Sequence, residues 1–403
     1  MRKILFWLHL IAGISAGIVI LIMCVTGVLL TYEKQIIAWA DGDLTALPAP
    51  GTPRVSAQTL LGAISAASGG APPTTLTYYS GSSAASGAAG GTTYYVNAYT
   101  GELIGTSSTR IRSFFRSVTE WHRYVALSGD SRPTGKAITG ASNLIFLLIV
   151  ITGPVIWWRS AILWFRKGLK GKALFFNWHN VFGLWATVPL FFVVLSATVI
   201  SYPWASNLVY TLTGTEAPAP AGGGSGGGGG RGSSPNGGPR QEGSAPGVPE
   251  AVVNSIDAGL ARVDQDFAGW KTIAVRVPNG PDAALSFNVD RGSTGQPQHR
   301  STLTFDRKTG EVAKIETFAD QNLGRRTRSW LRYIHTGEYY GVVGQAVAGI
   351  ASFAGVMLVG TGFALSLQRL AAWITRRGRQ TEPATLRTPA ATVEAVNLRR
   401  DWQ

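Results

Sequence analysis

The stretch ILFWLHLIAGISAGIVILIMCVTGVLL, from Ile4 to Leu30, carries no charge, and its reading decides the fold. A bilayer core about 30 Å thick needs about 20 apolar residues to be crossed by a helix, and lipid offers the backbone no partner outside its own segment. Three further runs of this kind follow, from about Ala137 to Trp158, Val181 to Tyr202 and Val342 to Leu367. Pro154 and Pro189 lie inside two of them, where kinks are tolerated. The first run far exceeds the 7–15 apolar residues of a signal-peptide core, so it is expected to be retained as a helix, although Ala38 and Ala40 offer small residues of the kind found at cleavage sites.

Composition agrees with a membrane chain. Of 403 residues only 14% are charged, where an average soluble protein has roughly 25%. A net charge of +14 would suit nucleic acid, but a chain this apolar is no basic soluble binder, so the bilayer and not nucleic acid is the expected partner. One cysteine, Cys24, excludes a disulfide framework, a thiolate zinc site and covalently attached heme, all of which need at least a pair.

Lys and Arg set the orientation. Arg2 and Lys3 precede the first run; Arg159, Arg166, Lys167, Lys170 and Lys172 fill the link between the second and third; Arg369, Arg376, Arg377 and Arg379 follow the fourth. Four crossings put all three groups on one side, so both termini are expected in the cytoplasm of a bacterial cell and the two long loops in the periplasm. The expected division is a first span over 1–32, an outer module over 33–118 and an outer histidine segment with the second span over 119–158. A basic loop over 159–178 leads to the third span at 179–203 and a Gly/Pro/Ser-rich linker at 204–249. The second outer module covers 250–330, a second histidine segment with the fourth span 331–368, and a tail 369–403.

Each outer loop is expected to fold as a small α+β module. In the first, Ser56 to Ser68 has helical periodicity, followed by strand-like Thr75 to Tyr79, Thr92 to Val96 and Leu103-Ile104. In the second, Glu250 to Val263 is the helix, and Lys271 to Val277, Ala284 to Val289 and Thr302 to Phe305 are the strands. Thr100-Gly101-Glu102 and Thr309-Gly310-Glu311 mark matching hairpins. Gly222, Gly224 and Gly227 fit a G-x-G-x-x-G spacing only because the linker is glycine-rich, and no strand precedes them.

The chain repeats itself as a whole. Leu5-Phe6-Trp7-Leu8-His9 opens the first span, and Leu174-Phe175-Phe176-Asn177-Trp178-His179 the third, with Gly13 and Gly183 one turn on. His122 ends the segment before the second span and His335 the segment before the fourth, and each leads into G-x-A-[IV]-x-G, Gly135 to Gly140 and Gly344 to Gly349. The fold class expected is a membrane all-α four-helix core with two extracytoplasmic α+β modules, internally duplicated.

On this topology His9 and His179 fall at the cytoplasmic ends of spans, and His122 and His335 at the outer ends, giving one histidine pair per face. Neutral imidazole nitrogen is a good axial ligand for heme iron, and bundle sites are built from facing side chains of different helices. The preferred reading is two non-covalent heme b groups, held by His9 with His179 and by His122 with His335. Interfacial anchoring, a non-heme metal site and a proton relay remain open alternatives; the spans lack the carboxylates that metal transport recruits. His299 reads as a surface residue. Arg116, Arg123, Arg328 and Arg332 flank the outer histidines, suited to propionates, an anionic substrate or the wet interface alike. The tryptophans read as interfacial anchors.

Trp7-Leu8-His9 with its glycine-spaced helix, the helix pair around each outer module and the repeated Thr-Gly-Glu resemble the PepSY-associated transmembrane family, over about residues 1–375. That family includes bacterial iron-regulated inner-membrane proteins and reductases of ferric siderophores. The resemblance implies two periplasmic PepSY modules and a di-heme core with His9, His122, His179 and His335 as ligands, passing electrons outward to a ferric siderophore or other ferric chelate. The chain has no flavin or nicotinamide fingerprint, so the donor is expected to be a separate cytoplasmic protein or a quinol. Two other functions stay in view, a non-enzymatic membrane anchor whose modules bind a periplasmic partner and a siderophore or metal permease. The sequence departs from the family pattern in its glycine-rich linker and in the thirteen residues from His122 to Gly135, against nine from His335 to Gly344.

Overall fold

A computed structural model describes residues 2–46, 49, 51–157, 162–218, 250–277, 285–292, 296–306 and 311–381. Along the chain, α1 (Arg2–Thr31) is followed by the short α2 (Glu33–Ala40) and α3 (Gly42–Thr45), then α4 (Ala57–Ala67) and strands β1 (Thr75–Tyr79), β2 (Ala84–Ala89), β3 (Thr92–Asn97) and β4 (Leu103–Thr106). Helices α5 (Thr109–Tyr124), α6 (Arg132–Trp157), α7 (Gly171–Ser201) and α8 (Pro203–Leu212) come next. The second half brings α9 (Glu250–Asp266), β5 (Thr272–Arg276), β6 (Leu285–Asp290), β7 (Arg300–Phe305), β8 (Val312–Thr317), α10 (Leu323–His335) and α11 (Gly341–Thr381).

Helices α1, α6, α7 and α11 are long and apolar enough to cross a membrane, as the four runs require. Each packs along two neighbours, α1 and α7 both lying on α6 and on α11, so α1 and α7 stand at opposite corners of a four-helix bundle. The bundle centre is small and apolar, built from residues such as Ala16, Ile20, Phe146, Ala186, Leu190 and Ala354. Small residues let helices approach closely where lipid provides no hydrophobic drive to association. Outward, large aliphatic side chains stay bare, Ile11 at 62%, Val188 at 64% and Ile350 at 69% exposure. A belt of this kind is the surface that lipid covers.

The strands overturn one expectation. In place of two separate modules, all eight form a single antiparallel sheet in the order β4-β3-β2-β1-β5-β6-β7-β8. The halves meet where β1 pairs with β5, Thr75 opposite Arg276 and Tyr79 opposite Thr272. Left apart, the four-stranded units would have four open edges with unpaired backbone groups; pairing β1 with β5 leaves only those of β4 and β8. Helices α4 and α9 cover one face, and Leu60, Ile64, Leu76, Ile256, Ile273 and Phe287 form one shared core. The join is reinforced by Arg54 on Asp264 at 2.7 Å and by the Ala57 N–H, which donates to Asp257 Oδ1 at 2.8 Å. Burial raises the Asp257 carboxyl above its ordinary range, a shift that the Ala57 N–H opposes.

Other boundaries also differ. The expected linker at 204–249 begins as α8, in which Pro203 takes the first turn and Ala205, Val209 and Tyr210 are buried. Proline suits the first helical position, whose N–H has no intrahelical acceptor. Residues 219–249 of that linker, Trp158, Arg159 and the turn residues Thr309 and Gly310 lie outside the described residues. Each module is preceded or followed by helices that belong to the bundle instead. α5 starts at Thr109, capped by Ser108, well inside the segment assigned to the first module, and α10 starts at Leu323, capped by Asn322.

Candidate functional site

α5 and α10 are strongly amphipathic, and each drops its C-terminal end against the bundle. α5 packs on α1 and α6, and α10 on α7, α8 and α11. Both descents are permitted by glycine. A Cβ at Gly135 would strike the Tyr124 carbonyl, and one at Gly344 the Gly337 carbonyl. In each case the clash falls on the residue two beyond the histidine. The extra residues between His122 and Gly135 are spent in the turn, where Val125 and Ala126 take left-handed φ of 51° and 58° and Gly129–Ser131 form a 3-10 turn. The longer spacing therefore leaves the depth of His122 equivalent to that of His335.

The structure brings these two together, with ring centroids 6.2 Å apart and planes at 52°. Rings that share one metal ion through nitrogens at about 2.0–2.1 Å stand about 6 Å apart. His9 and His179 lie on the diagonally opposite helices α1 and α7, each facing a hydroxyl of a helix beside it, Thr152 of α6 and Thr361 of α11. The two outer residues expected to pair face one another across the bundle, from different halves of the chain.

What the sequence reading missed is how each ring is held. His9 Nδ1 lies 3.0 Å from Thr152 Oγ1, His122 Nδ1 2.9 Å from Thr26 Oγ1, and His179 Nδ1 2.9 Å from Thr361 Oγ1. Each threonine already donates its only proton to its own helix, to Leu148, Ile22 and Met357 carbonyls at 2.8, 2.6 and 2.6 Å. A hydroxyl has one proton, so toward the ring it accepts, and Nδ1 carries the hydrogen. His335 reaches the same state through a carbonyl, its Nδ1–H donating to Val193 O at 2.9 Å, with Ser196 Oγ at 3.4 Å. The tautomer is therefore fixed at all four rings, leaving Nε2 as a bare lone pair. Holding one ring nitrogen by an acceptor to present the other is how metal-ligating histidines are oriented.

The holding residues have a signature. Thr26-Gly27, Thr152-Gly153 and Thr361-Gly362 are followed by glycine, and Ser196 by Ala197. The glycines lie against the rings: a Cβ at Gly27, Gly153 or Gly362 would come 3.5–3.7 Å from Cε1 of His122, His9 or His179. Gly13 and Gly183, singled out as leaving space one turn from the ligands, have nothing within 4 Å and Leu358 at 3.6 Å respectively.

The donor set fits a heme. Among the described residues no group of three or more His, Cys, Asp or Glu could hold a metal ion. The histidines of each level offer imidazole nitrogens, which suits a metal whose other ligands come with it, as in a planar macrocycle. All four rings are half-buried.

Of the other residues considered, His299 is exposed, and Trp121, Trp164 and Trp204 are bare to solvent or lipid. Arg123 stacks on Tyr124 at 5.2 Å and Arg328 donates to Ser206 Oγ at 2.8 Å. A groove of about 410 Å³ lies between the end of α1, α2 and α5, lined by Val28, Leu29, Phe114 and Phe115, to one side of the histidine levels. Two polar joints tie the sheet to the helices carrying the outer pair. Buried Asp41 accepts from Arg112 at 2.7 Å, Tyr95 Oη–H at 3.1 Å and the Ser108 N–H at 3.2 Å. Burial, with Tyr79 and Asp41 adding to it, pushes the Tyr95 phenol above its usual range and keeps it a neutral donor. On the other side Arg300 bridges Asp290 at 3.1 Å and Tyr333 Oη at 2.8 Å.

A family model described as the PepSY-associated TM region matches residues 6–369. No curated protein matches the chain. The match spans nearly the whole sequence, and the chain belongs to this family.

Proposed function

We propose that the protein is a di-heme inner-membrane reductase that passes electrons from the cytoplasmic side to a periplasmic ferric chelate, such as an iron-loaded siderophore. The observation that carries this reading is the set of four imidazoles, paired at two levels, each with Nδ1–H tied to the next helix and Nε2 free. His9 with His179 and His122 with His335 would each hold one heme b. Heme held there would supply one-electron iron chemistry.

The chain's own residues do the rest. The hydroxyls of Thr26, Thr152, Thr361 and Ser196 orient the rings, and the Ala16–Ile20–Phe146–Leu190 packing keeps water out between the levels. The basic residues Arg2, Lys167, Lys172 and Arg376 share the end of the bundle near His9 and His179, and the positive-inside rule supports a cytoplasmic reading of that end. The sheet then stands in the periplasm, and the recurrence of helix, sheet half and helix is an internal duplication. Fe(III) bound to hard oxygen donors loses much of its affinity on taking one electron, so the chelate releases its metal without a protein acid or base. The donor is a cytoplasmic reductant or membrane quinol.

The test is the spectrum of the detergent-purified chain after expression with ample hemin. Two hemes per chain by pyridine hemochrome, and reoxidation of the dithionite-reduced protein by a ferric chelate, are expected. A colourless chain would overturn the reading in favour of an anchor, and chelate accumulating in sealed vesicles without reductant would favour a permease.

A further inference from the structure

Beside the first two turns of α5 lies a cleft of about 150 Å³, walled by Thr92 and Thr93 of β3 and by Thr109, Arg112, Ser113 and Arg116. No carboxylate lines it. Arg112 is engaged by Asp41 and by Ser107 Oγ. Arg116, one helical turn on, makes no hydrogen bond or ion pair among the described residues, and the hydroxyls of Thr92, Thr93 and Thr109 make none either. The matching basic helix is different. On α10, Arg325 meets Glu316 at 3.3 Å, Arg326 stacks over Phe318 at 5.5 Å, and Arg328 is bonded to Ser206.

We propose that this cleft is an oxyanion site that holds a carboxylate arm of an anionic ferric chelate; the assignment of the chelate rests on the reductase reading above. A guanidinium fork binds carboxylate in two parallel hydrogen bonds, and hydroxyls donate to the remaining lone pairs. The volume is below the roughly 300–1,000 Å³ of pockets that enclose whole drug-sized ligands, so it takes one anionic group and leaves the metal outside. Arg116 precedes His122 by six residues on the same helix, about 9 Å along its axis at 1.5 Å per residue. An arm anchored at Arg116 would hold its iron on the sheet side of the outer histidine level.

The experiment measures heat of binding of citrate and of ferric citrate to the full chain in neutral-lipid nanodiscs, with heme counted on the same sample. Arg116→Gln is expected to weaken both by at least tenfold, Arg116→Lys by less, and a neutral trihydroxamate ferric chelate is expected to show no difference among the three proteins. Unchanged citrate binding in Arg116→Gln overturns the site. Phosphatidylglycerol nanodiscs that block citrate binding, with the block relieved by Arg116→Gln, would give the same chemistry to a lipid headgroup and overturn the chelate assignment. A two-heme chain indifferent to Arg116 sinks the cleft alone; a heme-free chain that binds citrate through Arg116 sinks the electron-transfer reading alone.

Discussion

The two histidine levels are built from different material. His9 and His179 sit on spanning helices, so membrane insertion and bundle packing are enough to position them. His122 and His335 sit on α5 and α10, which enter from the sheet side and are held there by Asp41 with Arg112 and by Arg300 with Tyr333. One level thus depends on the bundle alone, and the other on the bundle and the sheet together.

The largest effects should come from the rings. His122→Ala or His335→Ala is expected to remove the outer heme and leave the inner one, and His9→Ala or His179→Ala the reverse, so hemochrome falls from two to about one in each. Four variants that all keep two hemes would erase the distinction between levels. Next is Asp41→Ala, which leaves the Tyr95 phenol and the Ser108 N–H without their acceptor and Arg112, 29% exposed, without its carboxylate, at a cost of about 1–3 kcal/mol. Its expected signature is a shifted spectrum and potential for the outer heme with the inner unmoved, and equal shifts at both levels would break the comparison.

A smaller effect sharpens it. His9 is held by the Thr152 hydroxyl, whereas His335 rests on the Val193 carbonyl with Ser196 as a distant second. Thr152→Val is expected to lower inner heme affinity by about tenfold, and Ser196→Ala to leave the outer affinity within about threefold, by hemin titration of the apoprotein. Smallest is Lys34→Met, which takes the cation of the one-quarter-exposed Lys34 from the buried carboxylate of Glu338, between α2 and the turn before α11. A loss of about 1–2 kcal/mol in thermal stability is expected.

The spans were legible because their signal is length and apolarity, which tertiary context cannot override in lipid. The four histidines were legible because the half-chain pattern pairs them. β2 was not: AASGAA has poor strand propensity, yet its small residues are what let α4 lie on the sheet, since a Cβ at Gly87 would press on Ile64 Cδ1 at 2.5 Å. The single sheet was hidden as well, because strand alternation gives a face and not a partner. α5 and α10 escaped as membrane-entering helices since their charged faces count against them in any hydropathy window. The hydroxyl clasps were in plain view as Thr-Gly pairs inside three apolar runs, but a threonine there satisfies its own helix and attracts no notice until the neighbouring ring is known.

His9 and Thr26 on α1 are seventeen residues apart, as are His179 and Ser196 on α7, Gly135 and Thr152 on α6, and Gly344 and Thr361 on α11. At 1.5 Å per residue that interval is about 25 Å on every rod. The bundle is therefore ruled like a gauge with the same graduation on all four sides, and no single rod can be lengthened. One residue added within the interval would turn one end by about 100° against the other, swinging a clasp away from its ring.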